Sequence, residues 1–329
     1  MWTRKNNIAY FKPKGNEKAP IGFDLDWTLI RPKKGLFPSN SDDWIFMPGV
    51  RKKLAKLESF VIFTNQTEKK VEEVIKKIDI VFGGKAWVFI AIGYSVFRKP
   101  FPAMHDLYYK LSGTKIKIYC GDAAGRNGVK DDFSDSDYKF ALNIDAKFLT
   151  EKQYFTNNET DNIHSSKVTT GKCLPYKPKK KEAIMMIGYP GSGKTTYAKK
   201  MNGNILSKKS LKTVTKVLRK ATEMVTRGEL VIFDDCNMTA KSREKYVKWA
   251  KQQKIKLKYV YIDATIEQAK YGYAVKLYKR YKSKKDIFKG VEYAGKAPPS
   301  VAYYSMRKHK NIPQDAIVVP FCVPNILFV

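Results

Sequence analysis

Acidic residues are scarce in this chain of 329 residues: 31 Asp and Glu stand against 63 Lys and Arg, for a formal net charge of +32. A charge of that size says little about fold and much about partners. Nucleic acid is the first candidate, because Lys and Arg that neutralise phosphates supply most non-specific affinity. The bland source of the same number is a lysine-rich composition, since the basic residues run along the whole chain. Histidine is nearly absent, with only His105, His164 and His309, so a His/Cys zinc site is excluded as an expectation. Cys120, Cys173, Cys236 and Cys322 are far apart with no CxxC spacing, and read as free thiols in a reducing compartment. Long apolar runs are also missing. The longest, from Ala86 to Phe97, is too short to span a bilayer, and Met1-Trp2-Thr3-Arg4-Lys5 lacks the apolar core of a signal peptide. The expectation is a soluble intracellular protein with no membrane partner, nuclear or cytoplasmic.

Apolar runs do recur at short length. Strands are predicted over 21–25, 60–64, 86–92, 116–120, 184–188, 230–234 and 257–262. Helices are predicted over 49–58, 67–77, 101–111, 194–201, 211–227, 240–253 and 265–280. Such alternation argues parallel sheets with crossover helices, and the length suits two domains. The fold class expected is α/β, with two doubly wound parallel-sheet domains. Pro175-Tyr176-Lys177-Pro178-Lys179-Lys180-Lys181 reads as an extended, charged linker. The expected layout is a first domain at 1–170, a Lys/Pro linker at 171–182 and a second domain at 183–329.

Two phosphate-chemistry signatures fall on either side of that linker. In the first half, Asp24 and Asp26 follow the apolar run Ile21-Gly22-Phe23. A carboxylate nucleophile splits a phosphoryl displacement into two steps, and a second carboxylate can protonate the leaving oxygen and then activate water. A DxD pair alone also fits an ordinary strand-end turn. Three further strand ends sharpen the reading: Thr64 in Val61-Ile62-Phe63-Thr64-Asn65-Gln66, Lys99 in Arg98-Lys99-Pro100, and Asp122 after Ile118-Tyr119-Cys120-Gly121. In chain order these offer a nucleophile, a phosphate hydrogen bond, a counter-charge and a Mg²⁺ ligand. Singly, Lys99 is a solvated loop charge and Thr64 a β-branched strand end; the ordered set is hard to assemble by chance.

In the second half, Gly188-Tyr189-Pro190-Gly191-Ser192-Gly193-Lys194-Thr195-Thr196 follows Ala183-Ile184-Met185-Met186-Ile187 and fits the P-loop pattern without gaps. Gly188, Gly191, Ser192, Gly193 and Thr196 supply the loop, Lys194 reaches the β/γ-phosphates, and Thr195 binds Mg²⁺. ATP is the implied phosphoryl donor. Leu230-Val231-Ile232-Phe233-Asp234-Asp235 is a strand with acids at its end, and Asp234 or Asp235 would serve the metal shell.

The first series resembles the haloacid dehalogenase phosphatases. Within them, Phe63-Thr64-Asn65-Gln66, Arg98-Lys99-Pro100, Gly121-Asp122-Ala123-Ala124-Gly125-Arg126, Asp132-Phe133-Ser134-Asp135-Ser136-Asp137 and Phe140-Ala141-Leu142-Asn143 are similar to the polynucleotide kinase 3′-phosphatase family. The resemblance covers residues ~20 to ~155 closely. It implies Asp24 as nucleophile, Asp26 as general acid/base, Thr64 and Lys99 on the phosphate, and Mg²⁺ held by Asp24, Asp26 and Asp122. Asn65 and Asp137 are implied in supporting roles. Only 40 residues separate Asp24 from Thr64, which leaves no room for a cap domain and implies an open site for a polymer end. A phosphopeptide-binding module ahead of it is not expected, because about 20 residues come before the first predicted strand.

The resemblance to the family's kinase domain covers roughly 183–275. It implies an end-healing enzyme: a Mg²⁺-dependent 3′-phosphatase and an ATP-dependent 5′-hydroxyl kinase acting on DNA or RNA ends, with a ligase downstream. Two departures stand against the kinase half. Where the family places an Arg-Asp pair, the Asp being the general base, this chain has Lys208-Lys209, and no Asp or Glu occurs between Glu182 and Glu223. A lysine charged at neutral pH is a poor base. Where the family has a lid arginine, Ala274, Val275 and Lys276 stand, with Arg280 nearest. The competing readings are a 3′-phosphatase whose P-loop module only binds nucleotide or nucleic acid, a small-molecule phosphatase fused to a metabolite kinase, and a structural basic protein.

Overall fold

A computed structural model describes residues 1–5, 7–15, 18–93, 95–126, 132, 134–157, 163, 171, 173–283, 298 and 300–323. Phe133 and His164 lie outside the described residues. The chain divides between Lys167 and Val168 into two compact units; the described residues 277–283 group with the first, and the last described helix and strand group with the second.

In the first unit the elements run β1 Trp2–Lys5, β2 Ile8–Phe11, β3 Ile21–Phe23, the short pair β4 Ile30–Arg31 and β5 Ile45–Phe46, and α1 Val50–Leu54. They continue with β6 Val61–Gln66, α2 Val71–Phe82, β7 Trp87–Ile92, α3 Ala103–Ser112, β8 Ile118–Gly121, α4 Ser136–Asn143, β9 Lys147–Thr150 and α5 Glu151–Thr156. Seven strands form one sheet in the order β1-β2-β7-β6-β3-β8-β9. From β7 to β9 every pairing is parallel, and β1 and β2 add as an antiparallel hairpin on the β7 edge. The central strands β6 and β7 are buried on both faces over nearly their whole length, which is why they read as unbroken apolar runs. One face carries Phe23, Leu25, Ile62, Val88 and Ile90 against α2. The other carries an aromatic layer in which Phe63 meets Phe89, Tyr108, Tyr119 and Phe140. Helix α2 buries Val71, Val74, Ile78 and Phe82 at helical spacing and stops at Gly83, whose φ of 55° suits a residue without Cβ.

Within α3, His105 is buried and its Nε2 accepts the backbone N–H of Ile116 at 3.4 Å, which requires the neutral ring. Burial, with repulsion from Lys115 and Lys282, pulls its pKa down to about 4. The unfolded chain protonates near the ordinary histidine value and the folded chain does not. Stability is therefore full above that value and is lost as pH falls through it toward about 4. The loss totals roughly 3 kcal/mol from the size of the shift. Urea titration at about pH 7.5 and about pH 4.5 should show a smaller acid loss in His105→Gln than in the parent; equal losses would contradict the assignment.

The second unit runs β10 Glu182–Ile187, α6 Lys194–Ala198, β11 Asn204–Leu206, α7 Lys208–Leu211, α8 Val214–Thr226, β12 Val231–Asp234, α9 Ala240–Gln252, β13 Lys256–Asp263 and α10 Ile266–Lys282, then α11 Ser300–Lys308 and β14 Ile317–Pro320. Its five strands are all parallel, in the order β11-β12-β10-β13-β14. The predicted α/β class with parallel sheets is the fold observed. Every residue of β10 is buried. Thr213 and Thr239 cap α8 and α9 by accepting N–H bonds from Lys216 and Ser242. Among the described residues no helix is long and apolar enough to cross a membrane.

The cysteines depart from expectation. Cys173 and Cys322 are joined by a disulfide across 149 residues of sequence, and only Cys120 and Cys236 are free. The physical reason is local. The N–H of Gly171 donates to the carbonyl of Phe321 at 2.7 Å, which lays the segment before β10 along the one after β14. Spacing alone cannot show such a pairing, and the expectation of a reducing compartment loses its support. The segment read as a linker is also fastened to the second unit. Tyr197 Oη donates to the Leu174 carbonyl and accepts the N–H of Tyr176, both at 2.9 Å.

Candidate active site

At the carboxyl end of β3 the N–H of Asp24 donates to the carbonyl of Cys120 at 2.9 Å, extending the parallel ladder by one residue. The chain then turns sharply. Trp27 takes a φ of +62°, its N–H donates to the Ile30 carbonyl, and Leu29 N–H donates to Leu25. A left-handed residue with a Cβ costs about 1–2 kcal/mol, so the surrounding packing must hold this turn. It brings Asp26 within reach of β6: Gln66 Nε2 donates to Asp26 Oδ2 at 2.7 Å and to Thr64 Oγ1 at 3.0 Å.

Lys99 arrives from the loop after β7. Asn65 grips its backbone on both sides, accepting the Lys99 N–H at 2.8 Å and donating to its carbonyl at 3.3 Å. The Lys99–Pro100 bond is cis, and Asn143 Nδ2 donates to the Pro100 carbonyl at 2.7 Å. The buried ammonium contacts Asp24 Oδ1 in a short ion pair, Asp137 Oδ1 at 2.7 Å and Tyr119 Oη at 3.0 Å. Burial pulls the Lys99 pKa down, but Asp137 and Asp24 outweigh it and leave it raised. Burial pushes Asp24 up to about 7, opposed by Lys99 and reinforced by Asp137 and Asp26. Burial likewise raises Asp122 well above the carboxylate range, reinforced by Asp24 and Asp137.

One carboxylate oxygen each from Asp24, Asp122 and Asp137 lies within 4.8 Å of the other two. Three acids against one ammonium leave excess negative charge, and an all-oxygen donor set of this kind fits a divalent cation such as Mg²⁺. The Asp26 carboxylate is not in the group; it is the one held by Gln66. Asp122 is oriented by Thr28, whose Oγ1 donates to Oδ1 at 3.0 Å. The loop after it is closed by Asp132, which accepts the backbone N–H groups of Ala124, Gly125 and Arg126 and the Arg126 Nε. A cavity of about 270 Å³ opens beside Asp26, lined by Trp27, Phe37, Asn65, Gln66 and Lys70.

Asp24, Asp26, Thr64, Asn65, Lys99, Asp122 and Asp137 thus meet at one end of the first sheet. Gln66, Thr28, Tyr119 and Arg126 were not singled out from the sequence. Gln66 and Arg126 lie inside motifs quoted above, and their roles as holders of Asp26 and Glu151 depend on partners that sequence does not reveal.

In the second unit, Gly188, Gly191 and Gly193 have φ of 151°, 85° and 98°, which only glycine adopts without strain. Gly191 is also pressed on α10: a Cβ there would lie 2.1 Å from the Ala269 carbonyl oxygen. Lys194 is buried and donates to the carbonyls of Gly188 at 2.9 Å and Tyr189 at 2.7 Å, and burial lowers its pKa. Thr195 Oγ1 donates to Asp234, and Thr196 is exposed. Among the described residues Ser192 Oγ is buried without a partner, a polar atom that a phosphate oxygen would satisfy. The residues present fit a nucleotide. A cavity of about 940 Å³ lies beside the loop, lined by Tyr189, Asp263, Arg307, Lys310 and Phe321.

Lys208 and Lys209 stand exposed on α7, and the carboxylate that reaches this helix is Asp235, whose Oδ2 accepts the Lys208 N–H at 3.1 Å. Ala274, Val275, Lys276 and Arg280 all lie on α10.

A family model described as polynucleotide kinase 3 phosphatase matches residues 20–155. The bifunctional polynucleotide phosphatase/kinase of Schizosaccharomyces pombe is 28% identical over 342 aligned positions, covering 93% of this chain and 79% of that protein. A putative bifunctional polynucleotide phosphatase/kinase of Acanthamoeba polyphaga mimivirus is 28% identical over 312, covering 73% and 71%. An uncharacterized 20.8 kDa protein of Autographa californica nuclear polyhedrosis virus is 33% identical over 176, covering 47% of this chain and 96% of its own length.

Proposed function

Because the chain belongs to the polynucleotide kinase 3 phosphatase family, we propose that it heals nucleic-acid ends. Residues 1–170 act as a 3′-phosphatase domain and 183–329 as a 5′-hydroxyl kinase domain, with 171–182 packed on the latter. The single observation that carries the reading is the convergence of Asp24, Lys99 and Asp122 from three separate strand ends, with Asp137 beside them.

The Asp24 carboxylate attacks the phosphorus of a 3′-phosphate, the P–O3′ bond breaks, and Asp26 gives its proton to the leaving 3′-oxygen. Asp26 then takes a proton from water, which attacks the aspartyl-phosphate, frees inorganic phosphate and regenerates Asp24. Gln66 keeps Asp26 on the leaving-group side. Thr64 and Lys99 bind the non-bridging oxygens. Asp24 and Asp122, with Asp137 behind them, would hold Mg²⁺, which when bound offsets phosphate charge. In the second domain Lys194, Thr195 and the loop N–H groups would hold ATP with its Mg²⁺, with Asp234 behind Thr195. A polynucleotide substrate implies an intracellular site of action, and products with 3′-hydroxyl and 5′-phosphate ends are what a ligase consumes.

The +32 charge favours a polynucleotide over a metabolite. A 3′-phosphorylated oligonucleotide assayed beside a sugar phosphate should give the higher kcat/KM; preference for the sugar phosphate would overturn the substrate assignment. The lysines on α7 favour a second reading for the C-terminal domain, in which the P-loop binds nucleotide without transferring phosphate. Label from γ-labelled ATP should reach a 5′-hydroxyl oligonucleotide if the kinase is active. No transfer while the phosphatase turns over selects the second reading, and gain of transfer in Lys209→Asp would identify the missing base as its cause.

A further inference from the structure

We propose that Tyr119 is a positioning residue of the phosphatase reaction, its hydroxyl and Asp137 together anchoring the Lys99 ammonium. The inference rests on the phosphatase reading above and assigns a role within that site. A lysine ammonium has three N–H donors, and here each has an acceptor: Asp24 Oδ1, Asp137 Oδ1 at 2.7 Å and Tyr119 Oη at 3.0 Å. Tyr119 Oη in turn donates to Asp137 Oδ1 at 2.9 Å, and Asp137 Oδ2 accepts the N–H of Ala123 at 3.1 Å. The anchor is thus tied to the loop that carries Asp122.

The ring cannot move to follow the ammonium. Tyr119 is fully buried on β8, its ring packs edge-on to Phe140 with centroids 4.9 Å apart, and a Cβ on Gly22 would stand 3.1 Å from its Cδ2. The phosphoryl group must claim one N–H of Lys99 at the moment when Asp24 turns from ion-pair partner to nucleophile. Two N–H groups held by fixed acceptors let the ammonium give up Asp24 without leaving the site. With the tyrosine hydroxyl gone, the freed N–H is left beside the Asp24 and Asp137 carboxylates, and the ammonium settles toward Asp24, whose lone pair is needed for attack.

The bland alternative is a core aromatic whose hydroxyl is merely satisfied. Tyr119→Phe separates the two, with Phe89→Leu as a packing control in the same aromatic layer: Phe89 stacks on Phe63 and leaves Tyr119 with its hydroxyl and its Phe140 contact. On a 3′-phosphorylated oligonucleotide, Tyr119→Phe should lower kcat by about 10- to 100-fold with KM within about threefold, whereas Phe89→Leu should cost stability and leave kcat within about threefold. In ¹⁵N-lysine-labelled protein, the Lys99 ammonium should give a correlation protected from solvent exchange in the parent and in Phe89→Leu, and lose it in Tyr119→Phe. A Tyr119→Phe variant with parental kcat, or with an unchanged ammonium signal, overturns the role of Tyr119. A parent inactive on 3′-phosphate ends sinks the phosphatase reading itself, a separate outcome.

Discussion

Asp24→Asn should remove phosphate release from 3′-phosphorylated oligonucleotides by at least ~10³-fold while the protein stays folded. The substitution keeps the side chain's shape and its place at the end of β3, and takes away the lone pair that forms the P–O bond. The fold should tolerate it, since burial keeps Asp24 raised to about 7 despite the opposing Lys99 charge, so the ionised form is not favoured by folding. Lys99 keeps Asp137 and Tyr119 as partners. Nucleotide binding by the second unit should be unaffected. Activity and thermal unfolding measured together check the claim. Residual activity near the parent's would remove Asp24 from the chemistry, and loss of both activity and fold would make it a structural residue.

The second large effect is expected at Gly191→Ala. A methyl group there would meet the Ala269 carbonyl oxygen at 2.1 Å and the Tyr273 nitrogen at 2.5 Å, both backbone atoms of α10, at a φ of +85°. Left-handed strain costs about 1–2 kcal/mol and overpacking about 1–3 more. Against a total stability of roughly 5–15 kcal/mol the sum is large enough to displace the loop or melt its surroundings. ATP binding should be lost, the second unit should unfold at lower temperature, and 3′-phosphatase activity should stay within about twofold of the parent. Lys194→Ala makes a useful contrast: it should remove nucleotide affinity without the same steric cost. Titration of ATP into both variants tests the pair, and parental affinity in Gly191→Ala would mean that α10 yields to the loop.

How much of this was legible depends on where each signal lives. β7 and β10 are buried over their whole length, so their apolar runs stood out and their bounds were found within a residue or two. Helices α2, α8 and α9 announced themselves by periodicity. The β1–β2 hairpin did not, because Trp2-Thr3-Arg4-Lys5 alternates too briefly and its β7 partner lies some eighty residues away in sequence. Strands β9, β11 and β14 are three or four residues long, partly exposed and easily missed. Helices α4, α5, α7 and α11 also went unread; α7 is four residues of Lys-Lys-Ser-Leu with none buried, and is shaped by the Ser207 cap. In the site, Asp24, Lys99 and Asp122 were readable because each follows a strand. Asp137 came only through family resemblance, since it sits on α4 among polar neighbours. Gln66, Thr28 and Tyr119 matter through side-chain partners far away in the sequence, and no local pattern encodes those. The Cys173–Cys322 bond was hidden for the same reason.

The most direct test of the central claim is chemical capture of the enzyme during turnover. Enzyme mixed with a 3′-phosphorylated oligonucleotide and Mg²⁺, quenched in acid and reduced with borohydride, should carry homoserine at position 24 and at no other acid, because an acyl phosphate is reduced where a free carboxylate is not. Reduction at a different carboxylate, or none at all in enzyme that is turning over, would contradict the account.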